Sequence, residues 1–276
     1  MAAYTPIEET AGQDRGPWVI GVAVGAICFT AVAVALRCWS RTLVKAGFWW
    51  DDWTILISLP FTWALIGLEL GWVSAGLGRH IWAPNVQPQL GLIILFASEV
   101  VYDTSITIIR MSVLLFYHRI FGKDNRFRIA LWITMAILVA WYIAITALAV
   151  FQCSPVQKQF DYTIPGHCLS FYGTFIGVTA PNFFIDVVLL LLPVPMLWNL
   201  KIKKTKKFAL TANFLLGYCV IVVTILRLKA ILSVPSDGID DVPWNSTTPS
   251  IMFMLEPAVA TVSICLPAIS ALVTRG

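Results

Sequence analysis

Seven long apolar stretches alternate with short polar ones along the chain, near residues 18–36, 53–73, 90–117, 127–150, 171–198, 208–232 and 251–273. Each reaches about 20 residues, the length that crosses a bilayer core as a helix. Backbone N–H and C=O groups cannot stay open in lipid, so such spans must be helical. The short alternating segments of a membrane barrel are absent. The pattern predicts an all-α membrane protein, a seven-transmembrane-helix bundle. It divides the chain into a polar tail at 1–17, a membrane domain at 18–273 and a short end at 274–276. The third and fifth stretches exceed one span and are expected to tilt. Pro60, Pro181, Pro257 and Pro267 fall inside spans, where each frees a backbone carbonyl and can kink its helix.

Composition agrees with the pattern. Hydrophobic residues make up 58% of the 276 positions and charged residues only 12%. Soluble domains carry about 25% charged residues. The net charge of +4 gives no support to a nucleic-acid partner, because the placement of the basic residues accounts for it. Arg37, Arg41 and Lys45 follow the first span. Arg119, Lys123, Arg126 and Arg128 lie between the third and fourth, Lys201–Lys207 between the fifth and sixth, and Arg275 at the end. The opposite side holds Arg15, Arg79 and Lys158. Cytosolic loops collect Lys and Arg, so the N-terminus is expected outside and the C-terminus in the cytosol. The first span follows an acidic tail and precedes basic residues, which reads as an anchor rather than a cleaved leader.

Two features share that orientation. Asn245-Ser246-Thr247 is a glycosylation sequon in an expected outside loop. Cys153 and Cys168 share another outside loop, where a disulfide persists. Closing that loop stabilises by about 3 kcal/mol in the chain-entropy treatment. Tryptophans 18, 49, 50, 53, 72 and 198 mark interfaces. The five lysines of Lys201–Lys207 suit anionic lipid. The compartment is read as the plasma membrane or an endomembrane, and nothing in the pattern specifies an oligomeric state.

Charged residues inside the spans are the candidates for chemistry. Glu99, Asp103 and Arg110 fall within about 40° of one another on the third helix. A charge at mid-membrane costs at least about 2.5–3.5 kcal/mol, so this face should turn into the bundle. A ligand or proton site and a structural hydrogen-bond network both remain open there. On the fifth helix Asn182 and Asp186 share a face. Asp103 and Asp186 each lie roughly 20 Å from the outer ends of their helices, so they could meet. Of two carboxylates at one such place only one ionises, which would leave a general acid. Arg227 and Glu256 have comparable depth on sequential helices and are expected to pair. Glu69 lies near the outer end of the second helix. Lys229 is expected to snorkel to the headgroups. Asp51 and Asp52 suit the start of the second helix, as caps and as partners for Arg37 and Arg41.

Other chemistry is excluded or unsupported. No CxxC pair, HExxH, phosphate-binding loop or nucleophile elbow occurs. His80, His118 and His167 lie outside the spans. No metal is expected. The seventh span holds no lysine, so no retinal Schiff base can form there and no cofactor is expected.

The chain resembles the fungal rhodopsin-domain family of seven-helix integral membrane proteins. The residues that carry the likeness are Arg37 and Arg41 with Asp51-Asp52-Trp53; Met111-Ser112, Phe116-Tyr117 and Arg119-Ile120-Phe121; Cys153-Ser154-Pro155 and Cys168; Asn182, Asp186, Leu192-Pro193-Val194-Pro195 and Trp198; Gly217 and Arg227; and Glu256 with Cys265-Leu266-Pro267. The resemblance implies a polar interior. It also implies kinship both with non-retinal surface receptors and with proteins encoded among secondary-metabolite genes, a satratoxin-cluster protein among them. Relatives often continue past the seventh helix into a long cytosolic tail. The expected function is a small-molecule sensor in which an apolar ligand meets Glu99, Asp103, Asn182, Asp186, Arg227 or Glu256. The alternative is a membrane-embedded enzyme of secondary metabolism that uses Asp103, Asp186 or Glu99 as an acid, or an accessory protein of such a pathway. A transporter is disfavoured by the lack of internal repeats.

Overall fold

The computed structural model describes residues 12–43, 47–160, 164–195, 217–229 and 241–273. The long helices are α1 (Gly16–Leu43), α2 (Trp50–Ser74), α3 (Pro88–Phe121), α4 (Asn125–Val150) and α5 (Phe171–Leu191). Helical residues 217–229 form α6. A short α7 (Val242–Asn245) leads into α8 (Thr247–Val273). Between α4 and α5 runs a two-stranded hairpin, β1 (Cys153–Ser154) with β2 (His167–Cys168). Lys201–Lys207, residues 274–276 and most of the expected tail lie outside the described residues, as do parts of the expected sixth span.

Among the described residues five helices are long and apolar enough to cross a membrane: α1 to α4, and α8 over Thr247–Ile269. The protein is an α-helical membrane protein. α1 to α4 and α8 outrun the apolar stretches because polar residues continue them, whereas α5 ends at Leu191, two residues before Pro193, rather than at the expected 198. Asp124 Oδ1 accepts from the backbone N–H groups of Arg126 and Phe127 at 2.8 and 3.2 Å, starting α4 before its apolar run. Asp52 takes the Trp49 N–H at 3.2 Å and fixes the first turn of α2. Ser170 Oγ accepts from Gly173 N at 3.2 Å at the start of α5.

Burial follows helical spacing. Val19, Ala23, Ala26, Thr30, Ala33, Val34 and Arg37 form the inner stripe of α1. Its alanines allow the close approach of α8. The opposite side of α1 leaves Trp18, Val24, Phe29, Val32 and Trp39 exposed. On α4, Leu131, Met135 and Leu138 are buried while Trp132, Ile133, Ile137 and Ile143 are exposed. An apolar perimeter of this kind suits lipid. The central element is α3, which packs on α2, α4, α5 and α8. One core joins Ile55 and Leu65, Tyr102, Ile106 and Ile109, and Ile264 and Cys265 from α2, α3 and α8. A second joins Leu114 and Phe121 to Phe127, Leu131 and Leu138 of α4.

The disulfide Cys153–Cys168 closes the hairpin, as the loop pattern predicts. At the same end, the turn after α2 is clasped to α7. His80 stacks between Trp82 and Trp244 with ring centroids at 4.7 and 4.2 Å. Its Nδ1 bonds Asp241 Oδ2, and Asp241 Oδ1 accepts from Ile81 N at 2.9 Å. Gly78, at φ +88°, bonds Pro243 O through its N–H, and a Cβ there would lie 2.7 Å from Gly16 N. Only glycine fits both the backbone angle and the contact.

Candidate functional site: charged groups inside the bundle

Four groups of charged side chains are spaced along the interior, in an order set by α3. Nearest the Asp51–Asp52 end, Arg37 donates from Nε to Asp52 Oδ1 at 2.9 Å and from Nη2 to Asp51 Oδ2 at 2.6 Å. Its Nη1 donates to Ile264 O, three residues before Pro267 on α8. Arg41 reaches the same two carboxylates at 3.1 Å. These pairs match the sequence expectation. Arg119 adds contacts to Asp51 and Asp52 at 3.1 and 3.3 Å, and Ser112 Oγ donates to Asp51 O at 2.7 Å. Nothing in the spacing of α3 tied these two to α2. Three guanidiniums on two carboxylates leave no acceptor free. This group fastens α1, α2, α3 and α8 together.

Further along α3, Arg110 holds Asp186 of α5 by two parallel bonds of 2.9 Å, from Nε and Nη2. Its Nη1 donates to Asn182 Oδ1 at 2.7 Å, which also accepts from Trp141 Nε1 of α4 at 3.3 Å. From the sequence, Asp186 could meet Asp103. The structure gives Asp186 to Arg110, two turns further along α3. Depth counted from uncertain helix ends leaves the level of a residue open by about two turns, and the guanidinium fork captures a carboxylate in reach.

The third group contains the expected pair. Arg227 Nη1 lies 3.2 Å from Glu256 Oε2. Thr224 Oγ1 donates to Glu256 Oε1 at 3.2 Å. The Arg227 guanidinium also sits 4.9 Å from the Tyr102 ring centroid and 5.5 Å from that of Phe253, and the two rings stack at 4.1 Å. Lys229, by contrast, is exposed.

Beside this pair stand Glu99 and Asp103, one turn apart on α3. Among the described residues neither has an ion pair. Asp103 is 7% exposed and Glu99 half-buried. Arg227 acts on both through space, and Asp103 also feels Glu99, Arg110 and Glu256. The arrangement therefore carries two carboxylates beyond those that Arg110 and Arg227 neutralise. It can hold a cation, donate or accept a proton, or bond a polar ligand group. The Arg227 guanidinium that acts on both acids lies over the Tyr102 and Phe253 rings. The fourth group is Glu69 of α2, facing Ser98 and Ser250. Among the described residues no three His, Cys, Asp or Glu side chains are grouped to hold a metal.

The profile of the fungal rhodopsin domain matches residues 36–275. The chain is 28% identical over 226 residues to "Wortmanamides biosynthesis cluster protein C" of Talaromyces wortmannii, covering 78% of this chain and 58% of the relative. It is 26% identical to a "SAT4 family membrane protein" of Emericella nidulans, covering 83% and 56%. It is 25% identical to "Receptor GIN3" of Arthrobotrys oligospora, covering 73% and 49%. The chain thus spans about half the length of these relatives. No solved structure matches it.

Proposed function

The chain belongs to the fungal rhodopsin domain family, and on that premise we propose that it is a receptor-like, non-retinal sensor of a small molecule. The observation that carries this reading is the unneutralised pair Glu99 and Asp103 beside Tyr102 and Phe253. Every other carboxylate of the three interior groups on α3 is held by an arginine. Acids kept without a counter-ion inside an apolar bundle weaken the fold unless they serve a ligand. Arg110–Asp186 with Asn182, and Arg227–Glu256, frame the site from two sides. A molecule with an apolar body and a cationic or hydrogen-bonding head fits it. The relative named as a receptor agrees with this class.

The test is affinity selection. The full chain in lipid nanodiscs is incubated with fungal culture extracts, and retained compounds are identified by mass spectrometry. The E99Q/D103N variant is expected to retain the wild type's compounds at least tenfold more weakly, the cost of about 1.4 kcal/mol or more. Equal retention by the two proteins contradicts the reading.

A second reading is favoured by a relative named for a biosynthesis cluster. Here the protein serves secondary metabolism directly, with Asp103 as a proton donor to an apolar precursor. Deleting the gene and profiling metabolites separates the two. A precursor that accumulates and is cleared by wild type but not by Asp103→Asn supports the second reading and removes the pure sensor.

The working topology is seven spans with the disulfide end outside, in the plasma membrane or an endomembrane, and Lys201–Lys207 on anionic lipid at the inner face. The Thr247 hydroxyl is buried and donates to Trp244 O at 2.8 Å, so a glycan at Asn245 would be added before the chain folds. Endoglycosidase treatment is expected to increase gel mobility for wild type and leave Asn245→Gln unchanged. A cytosolic location of Asn245, mapped by a reporter, contradicts the topology.

A further inference from the structure

Glu69 is set apart from the other interior acids. It is 1% exposed, and neither carboxylate oxygen makes a hydrogen bond of ordinary geometry. The groups that face it are the hydroxyls of Ser98 on α3 and Ser250 on α8. Ser98 is fully buried, and its Oγ is likewise without a hydrogen bond. Ser250 is buried too. Among the described residues no arginine, lysine or histidine acts on Glu69.

An ionised carboxylate left alone in such a place is strongly disfavoured, so it must take up a proton or a cation. A proton lets the acid bond the two serine hydroxyls in turn, whereas a cation takes the acid and both hydroxyl oxygens as ligands at once. Carboxylate and hydroxyl oxygens are the ligands of hard cations. One negative charge balances a monovalent ion, whereas a divalent ion would need a second carboxylate. We propose that Glu69, Ser98 and Ser250 form a binding site for a monovalent cation of the sodium class between α2, α3 and α8. The ion ties these three helices near the disulfide end. The site stands independently of the ligand reading for Glu99 and Asp103.

The test is the thermal unfolding midpoint of the purified full chain in detergent, followed by tryptophan fluorescence. It is measured at mildly alkaline pH and constant ionic strength, in sodium, potassium or N-methylglucamine chloride. Sodium is expected to raise the midpoint saturably above that in N-methylglucamine. Glu69→Gln, which keeps the shape and hydrogen-bonding capacity, removes the sodium dependence. Ser98→Ala keeps the acid and shifts the half-saturating sodium concentration upward several-fold, so it decides the matter if Glu69→Gln does not fold. A wild-type midpoint that is the same in sodium and N-methylglucamine overturns the site, as does undiminished sodium dependence in both variants.

Discussion

Replacing Arg37 by methionine is expected to destabilise the protein by about 3–5 kcal/mol. Arg37 is 1% exposed and donates to Asp51, Asp52 and a backbone carbonyl of α8. Methionine fills much of the volume but leaves the two carboxylates with only Arg41 and Arg119, both partly exposed. Removing one member of a buried charged group costs more than the group contributes, because the remaining charges keep their desolvation penalty. The measurement is the thermal midpoint and the fraction of monodisperse protein in detergent. Asp52→Asn, which leaves Arg37 bonded to Asp51, should cost less. A midpoint for Arg37→Met equal to wild type would mean that the group is not closed as described.

The second large effect is at Arg110. Arg110→Met strands Asp186 in the interior and is also expected to cost about 3–5 kcal/mol. The double variant Arg110→Met with Asp186→Leu should recover most of that loss, because buried pairs replaced by apolar residues are often neutral in stability. Asn182 then keeps its bond from Trp141. The double-mutant cycle is read from thermal midpoints, and additive losses would show that the pair is not the source. The same double variant leaves Glu99 and Asp103 intact. It therefore separates the stabilising role of the Arg110–Asp186 pair from ligand binding at the neighbouring acids.

The sequence carried the helices well and their side-to-side relations poorly. Apolar runs and flanking charges pointed to the stretches where α1 to α5 and α8 lie, because insertion into lipid is governed by local composition, but α1 runs to Leu43 rather than 36 and α5 ends at Leu191 rather than 198. The Arg37–Asp51 contact was legible because the two residues flank one short connection. The Arg227–Glu256 pair was legible because sequential helices put opposite charges at one depth. A meeting of Asp186 with Asp103 was only one possibility in the sequence, because the partner of Asp186 depends on how α3 and α5 are rotated and shifted, which no single sequence states. Arg119 and Ser112 looked like ends of a basic loop and a small polar residue. Only the approach of α3 to α2 brings them to Asp51. His80 and Asp241 lie far apart in sequence, and aromatic stacking with Trp82 and Trp244 had no periodic signal. Glu69 was visible as a charge, but its lack of a counter-ion appears only once its neighbours are known.

Glu99 and Asp103 are expected to form an unneutralised and reachable acidic site within the bundle, while Arg110 and Arg119 of the same helix are bound to carboxylates. The most direct measurement is the reaction rate of Glu99→Cys with small thiol reagents of opposite charge. The background has Cys28, Cys38, Cys219 and Cys265 replaced by alanine. Asp103 should draw the cationic reagent, giving a rate about tenfold above that of the anionic one. Adding Asp103→Asn should reduce that preference, and Ile106→Cys, fully buried on the same helix, should not react. Equal rates for the two reagents, or no reaction at Glu99→Cys, would contradict the account.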